Sequence, residues 1–189
     1  MINFKAHTIN SVNLERIHIS KKASKYKGHF VELDIDSAFD YKALHDVGLG
    51  WNRGRTLAGD IFDLFSTEKY CKSKKFSTTP KFFAIIKNNA CDKLLNGHDI
   101  LGIATLTEEK DKTHYLKYIQ IDPDHQYNSL KRRYKHIGKA LIESIQKLPY
   151  VKEISLYAEN LNLESYYTKL NFKKEKNSYL YRNRIWFLF

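Results

Sequence analysis

Five basic residues cluster where a predicted strand passes into a predicted helix. The cluster comprises Lys131, Arg132, Arg133, Lys135 and Lys139. A helix begins with backbone N–H groups that lack partners within the helix, and the positive end of its dipole lies there. Basic side chains beside such amides make a site for pyrophosphate. A solvated basic loop before an amphipathic helix has the same composition, so charge alone leaves both interpretations open.

The elements that must position this cluster are clearest in the C-terminal half of the chain. Apolar runs separated by turns predict three strands of an antiparallel meander, Phe82–Ile86, Ile100–Leu106 and Tyr115–Ile121. Apolar residues from Ile137 to Leu148 recur at helical spacing, and Pro149 prevents the helix from continuing. We then expect a strand at Glu153–Ala158, a helix at Leu163–Leu170 ended by a left-handed Asn171, and a last strand at Tyr179–Phe189.

The first third of the sequence has a weaker pattern. It predicts a strand at Phe30–Ile35, a short helix capped by Asp36 or Ser37 and ending at Leu44, a break at Gly48–Trp51, a helix at Leu57–Tyr70 and an exposed connection at Lys72–Pro80. Strands and helices in this order indicate an α/β protein with a mixed sheet.

Two motifs in the C-terminal half resemble those of the GNAT acetyltransferases. The segment from Arg133 to Gly138, Arg-Tyr-Lys-His-Ile-Gly, is similar to the family's Arg/Gln-x-x-Gly-x-Gly/Ala signature, with His136 at the first glycine. Asn160 and, seven residues on, Tyr167 are similar to the later Asn…Tyr motif. That tyrosine is followed by Lys-Leu-Asn-Phe where the family has Lys-x-Gly-Phe. The motifs occur in the family's order with one predicted strand between them.

The resemblance implies a mixed, mostly antiparallel sheet that is flanked by helices and splayed at its central strands. It implies one acyltransferase domain over residues 1–189, in which residues 81–189 bind acyl-CoA and the divergent residues 1–80 lie on the acceptor side. The activity implied is transfer of an acetyl group from acetyl-CoA to a primary amine by direct attack, without a metal. The acceptor class stays open among small metabolites, proteins and aminoacyl-tRNA, and a homodimer is left open too.

The resemblance also implies roles for individual residues. Backbone groups of Ile119 and Ile121 would pair with pantetheine, and an amide there would polarise the thioester carbonyl. Beside Arg133, the pyrophosphate would be held by the amides of Tyr134, Lys135, His136, Ile137, Gly138 and Lys139. Asn160 would contact the cofactor arm. Tyr167 would protonate the leaving thiolate as a general acid, with Tyr166 as the fallback if the register shifts by one. A packed helix aromatic is the alternative interpretation of Tyr167.

His136 is the main departure from the family pattern. Because the first turn of a helix does not require positive φ, we expect the histidine to be tolerated. The alternative is that its Cβ keeps the backbone from the pyrophosphate and weakens or abolishes cofactor binding. That alternative corresponds to a catalytically degenerate GNAT fold. The imidazole could also donate to a phosphate.

The acceptor side has only candidates by residue type. Asp122, Glu32 and Glu108 are carboxylates that could serve as general base, and each could equally be a turn or surface residue. Trp51, Arg53 and Arg55 could line an acceptor pocket, and a turn with one packed tryptophan is the competing interpretation. The sequence does not choose between them.

The overall composition favours anionic partners but does not identify one. Lysine and arginine outnumber acidic residues 32 to 21, giving a net charge of +11. This excess attracts polyanions, and a nucleic-acid-binding module that uses Lys131 to Lys139 is the alternative from another class. Cys71 and Cys91 form no CxxC pair, and the spacing of His114, His125 and His136 matches no metal motif. We expect a cytoplasmic protein, because no signal peptide or span is recognisable.

Overall fold

Nine strands form one sheet among the described residues. The computed structural model describes residues 7–18, 20, 22–51, 57–70, 80–90, 94–109, 111–126, 129–158, 161–176 and 178–182. The strands are β1 (His7–Ile17), β2 (Ala23–Leu33), β3 (Lys81–Lys87), β4 (Ile100–Glu108), β5 (His114–Ile121), β6 (Tyr134–Lys135), β7 (Glu153–Leu156), β8 (Lys173–Glu175) and β9 (Ser178–Arg182). Their order is β6-β1-β2-β3-β4-β5-β7-β9-β8. Neighbours run antiparallel except β5 and β7, which are parallel.

Helices cover both faces of this sheet. They are α1 (Ala38–Gly50), α2 (Ala58–Tyr70), α3 (Ile137–Gln146) and α4 (Leu161–Lys169). Successive side chains of a strand point to opposite faces, and β3 contributes to two cores accordingly. Phe83 and Ile85 pack in the core that contains α3 and α4 residues, whereas Phe82 and Ala84 pack with α1 and α2. The predicted mixed, mostly antiparallel sheet with flanking helices is thus confirmed.

The C-terminal predictions agree with the structure within a few residues. Strands β3, β4 and β5 form the predicted meander, and α3, β7 and α4 follow in the predicted order. Asn171 has a φ of 67°, so it ends α4 in the left-handed region as expected. The predicted last strand begins at Ser178, and its residues beyond Arg182 lie outside the described ranges.

The N-terminal predictions needed correction. Ser37 does cap α1, because its hydroxyl accepts from the Asp40 amide at 3.2 Å, but the helix continues through Gly48 to Gly50 instead of ending at Leu44. A Cβ on Gly48 would lie 3.3 Å from Phe62 Cβ, so the missing side chain lets α1 and α2 approach. β1 was not predicted, and β2 spans Ala23–Leu33 instead of the predicted 30–35.

Candidate active site

The sheet opens between β5 and β7. Among the described residues these strands share two residue pairs, His114 with Ile154 and Tyr115 with Ser155. Beyond Tyr115 the strands separate, and a cavity of about 1010 Å³ lies beside the opening. Its lining includes Leu116, Ile119 and Ile121 of β5, Leu156 and Tyr157 at the end of β7, the start of α3 and three residues of α4. The predicted splay is therefore present at the predicted strands.

A bulge in β5 contributes to the separation. Thr105 pairs with Tyr118 and Leu106 pairs with Leu116, so Lys117 is an extra residue on β5. The Tyr118 amide donates to the Thr105 hydroxyl oxygen at 3.2 Å. A bulge bends its strand and increases its twist. The Thr105 side chain thus satisfies the amide that this irregularity displaces.

The backbone groups of Ile119 and Ile121 point into the opening. The Asp122 amide donates to the Leu101 carbonyl at 3.0 Å, so the backbone groups of Asp122 point towards β4. Backbone bonds alternate along an antiparallel strand, so the groups of Ile121 and Ile119 face the β7 side. The Ile121 carbonyl accepts the Gln120 side-chain amide at 2.7 Å. Beyond Tyr115 no described strand pairs with β5 on the side opposite β4, and the pairing of Ile119 and Ile121 with pantetheine stays a prediction.

His136 has a backbone conformation that its sequence position did not predict. It is the residue before the first turn of α3, and its φ of 67° and ψ of 13° are left-handed. The expectation that this position needs no positive φ was wrong. Glycine is favoured there because a Cβ makes the left-handed region cost about 1–2 kcal/mol. Histidine is among the residues that enter this region more often than most.

The side chain of His136 is directed to β1. Its Nε2 lies 3.3 Å from Glu15 Oε2, and Lys135 Nζ donates to Glu15 Oε1 at 2.9 Å. Lys135, acting chiefly through its hydrogen bond, lowers the pKa of the Glu15 carboxyl, as His136 does to a smaller extent. β6 pairs with β1 at the same place, through Glu15 with Lys135 and Arg16 with Tyr134. The turn that begins α3 is thus held by the N-terminal strand.

Gly138 lies in the first turn of α3, where α4 approaches. A Cβ added to Gly138 would lie 2.9 Å from the Tyr166 hydroxyl and 3.0 Å from Ile121 Cδ1. All three residues line the cavity. Burial, with a smaller contribution from Tyr167, raises the pKa of Tyr166 far above its usual range, so this phenol is neutral. A neutral hydroxyl and the first amides of α3 therefore lie together in the cavity wall.

Tyr167 is more deeply buried than Tyr166. It is 5% exposed, and its ring lies 5.8 Å from the rings of Phe172 and Tyr179. It nevertheless lines the cavity. The ring is therefore packed in the core, as the alternative interpretation predicted, while part of the residue meets the cavity. The role of Tyr167 as general acid stays a prediction.

The cavity includes some of the predicted cofactor residues and omits others. Besides Ile119 and Ile121, the predicted residues on its wall are Tyr134, His136, Ile137, Gly138, Lys139 and Tyr167. Arg133 and Lys135 are not on the wall, whereas Arg132, which matched no motif, is. Asn160 lies outside the described residues. Lys131, Lys135 and Lys139 lie within 4 Å of Asp124, Glu15 and Glu143 respectively, which reduces their availability to a polyanion.

The opposite end of the cavity lies on the α2 side. Leu57 and Asp60 line it there, and the Leu57 amide donates to Gln120 Oε1 at 3.4 Å. Sequence reasoning missed Asp60, because an acidic residue in the first turn of a helix carries no distinguishing signal. Gln120 joins this end to the opening, since its own amide nitrogen bonds the Ile121 carbonyl.

The candidate general bases are elsewhere. None of Asp122, Glu32 and Glu108 is on the wall formed by the described residues. Asp122 accepts from the Asp124 amide at 2.9 Å, and Glu32 pairs with Lys81 at 3.2 Å. Trp51 is buried in the core between the sheet and α1 and α2, as its structural interpretation predicted. Arg53, Arg55, Cys71 and Cys91 lie outside the described residues.

Metal ligands and membrane spans are both lacking in the ranges that the structure describes. These ranges contain no group of three or more His, Cys, Asp or Glu side chains that could hold a metal ion. They also contain no helix long and apolar enough to cross a bilayer.

Comparisons with known proteins place the fold. No protein-family model and no curated protein sequence matches the chain. A tyrosine-to-phenylalanine variant of KacT matches with a TM-score of 0.51 and 14% identity, over 81% of this chain and 93% of that one. A tyrosine-to-phenylalanine variant of the AtaT toxin, bound to the C-terminus of the antitoxin AtaR, gives 0.50 and 13%, over 81% and 90%.

A third match is an acetyl transferase from Salmonella typhimurium that modifies the N-terminal serine of 50S ribosomal subunit protein L7/L12. It gives a TM-score of 0.50 and 12% identity, over 82% of this chain and 95% of that one. The strand order, the splay between β5 and β7 and these matches agree with one another. The chain therefore has the fold of the GNAT acetyltransferases.

Proposed function

We propose that this protein is an N-acyltransferase that moves an acetyl group from acetyl-CoA to a primary amine by direct attack. The observation that carries the proposal is the cavity between β5 and β7, because it brings three kinds of group together. These are β5 backbone that pairs with no described strand on the side opposite β4, the amides that begin α3, and a tyrosine. Acyl transfer from acetyl-CoA needs backbone groups that align the pantetheine arm, hydrogen-bond donors to the phosphates and an acid that protonates the thiolate.

The start of α3 is suited to the pyrophosphate. The amides of Ile137, Gly138 and Lys139 are the first of the helix and have no acceptor within it. Arg132 adds positive charge on the cavity wall, and Lys139 adds less because it lies 3.7 Å from Glu143. Backbone groups of Ile119 and Ile121 would then pair with the pantetheine arm, and an amide at this position would polarise the thioester carbonyl.

Tyr167 is the proposed general acid. A phenol, whose ordinary pKa is about 10, is protonated at neutral pH and can give its proton to the sulfur as the carbon–sulfur bond breaks. Tyr166 has a different proposed role. Its hydroxyl lies beside Gly138 at the start of α3 and would donate to the bound cosubstrate there.

The adjacent tyrosines offer a matched pair of variants. Tyr167→Phe should lower kcat by about 100-fold or more, the usual contribution of a general acid, and leave the Kd for acetyl-CoA unchanged. Tyr166→Phe should weaken acetyl-CoA binding by about tenfold or more, the lower end of the value of a hydrogen bond to a charged group, and retain kcat. The assays are calorimetry with acetyl-CoA and thiol release, with ethylamine and a peptide that begins with serine as acceptors.

The outcomes separate the alternatives. Acetyl-CoA that fails to bind at millimolar concentration would refute the proposed function. Binding without thiol release for either acceptor would indicate the degenerate fold. A loss of kcat in Tyr166→Phe but not in Tyr167→Phe would reassign the acid. The Salmonella protein acts on an N-terminal serine. Thiol release with the serine peptide would show that this chain also accepts such an amine.

A further inference from the structure

The cavity reaches both faces of the sheet. Its wall at the start of α3 belongs to the face that carries α3 and α4, whereas Leu57 and Asp60 belong to α2 and the segment before it, on the other face. The opening between β5 and β7 connects them, and Gln120 lies at the junction. If acetyl-CoA lies along α3 as proposed above, the α2 end of the cavity is left for the acceptor.

Charge differs between the two ends. The α3 end has Arg132 and Lys139 on its wall, and Lys139 lies 3.7 Å from Glu143. Asp60 is the one carboxylate among the described residues that line the cavity, and it is exposed. On the α2 side, Lys117 is the one cation among the described residues of the wall. Its ammonium lies over the Tyr118 ring, 5.1 Å from the centroid.

Asp60 forms no ion pair with another described residue, and its side chain is exposed at the cavity wall. A primary amine is an ammonium ion at neutral pH, and a chain of net charge +11 repels it. A carboxylate on the wall of a cavity that otherwise carries cations offsets this repulsion locally. It also provides what the proposed reaction still lacks, which is a group that can accept the proton of the ammonium.

We propose that Asp60 forms the acceptor subsite, where its carboxylate binds a primary alkylammonium group and takes one proton from it. This inference rests on the proposed acetyl transfer. The freed amine nitrogen attacks the thioester carbon with its lone pair. The carbon–nitrogen bond forms, the carbon–sulfur bond breaks, and the sulfur leaves with the bonding electrons and takes the proton of Tyr167. The tyrosinate recovers a proton from the nitrogen as it becomes an amide, and Asp60 releases its proton to water.

The test compares two amines of different basicity. Ethylamine is an ammonium ion at neutral pH, whereas methoxyamine is largely unprotonated and needs no prior deprotonation. Asp60→Asn should lower kcat/KM for ethylamine by about 100-fold, the lower end of general-base effects, and lower that for methoxyamine far less. Asp60→Glu should recover part of the ethylamine activity. Asp63→Asn is the matched control, because Asp63 is an exposed residue of α2 that is not on the cavity wall.

Two results would overturn the inference. These are an equal loss with both amines and no loss with ethylamine. The thermal melting temperature and the acetyl-CoA Kd of Asp60→Asn should match the wild type, which excludes misfolding as the cause. A wild-type protein that fails to bind acetyl-CoA, or that binds it and turns over neither amine, would refute the proposed function instead, so the two failures are distinguishable.

Discussion

Replacing Gly138 with alanine tests how the start of α3 is packed against α4. The new Cβ would lie 2.9 Å from the Tyr166 hydroxyl and 3.0 Å from Ile121 Cδ1. Both are the outer ends of side chains, which can move by a few tenths of an ångström. The cost should therefore be at the lower end of the range for overpacking, about 1 kcal/mol. Alanine also favours a helix over glycine by up to about 1 kcal/mol, so the free energy of unfolding should change little.

Cofactor binding should respond more than stability does. The methyl group and both displaced side chains lie on the cavity wall, beside the amides proposed to hold the pyrophosphate. We expect the affinity for acetyl-CoA to fall about tenfold, which corresponds to about 1.4 kcal/mol. In a Tyr166→Phe background the nearest atom is absent, so Gly138→Ala should cost less there. The expected coupling energy between the two changes is about 0.5–1 kcal/mol.

The assay is a double-mutant cycle over the wild type, Gly138→Ala, Tyr166→Phe and the double variant. Urea unfolding measures stability, and calorimetry with acetyl-CoA measures affinity. Gly59→Ala is the control, because Gly59 is the second residue of α2 as Gly138 is of α3, and its added Cβ meets nothing within 4 Å. Strictly additive effects in the cycle, or an equal loss of affinity in the control, would refute this packing argument.

Three further variants test other regions of the structure. His136→Gly should raise the free energy of unfolding by about 0.5–1 kcal/mol, because relief of left-handed strain exceeds the extra chain entropy of glycine, and urea unfolding would show a decrease if the strain is absent. Burial, opposed by a hydrogen bond from the Asp34 amide, raises the pKa of Asp40 from 3.8 to about 6. The ionised form therefore destabilises the fold by about 3 kcal/mol above pH 7, and stability should rise as pH falls from 7 to 4. Asp40→Asn should remove that dependence in unfolding measured across pH, and a slope that persists would assign it to other groups. Thr105→Val leaves the Tyr118 amide without its acceptor and should cost about 1–3 kcal/mol by urea unfolding, whereas an unchanged midpoint would mean that water replaces the hydroxyl.

The sequence predicted the C-terminal half of the fold because its elements have strong local patterns. α3 carries its apolar stripe from Ile137 to Ile145, and β3 is apolar throughout its interior. β1 has no such pattern, since Val12 and Leu14 are its only buried residues. Its position in the sheet depends on partners far along the chain, which local patterns do not reveal.

The candidate site was predictable where it follows from element ends and motifs. The start of α3, the outward-facing groups of Ile119 and Ile121, and Tyr167 lie together on the cavity wall. The left-handed turn at His136 was not predictable, because it follows from the two-residue strand β6 and its pairing with β1. Asp60 was missed for a similar reason, since only the tertiary structure brings α2 to the opening.

The contact between β6 and β1 has a consequence for the order of folding. The Lys135–Glu15 bond joins residues 120 positions apart, so it closes a very long loop. Contacts of this separation form late, because chain entropy opposes them until the intervening elements have folded. The turn that begins α3 is therefore expected to be set only after the β1–β2 hairpin has docked. During synthesis the β1 edge of the N-terminal hairpin would stay exposed until β6 emerges from the ribosome, more than a hundred residues later.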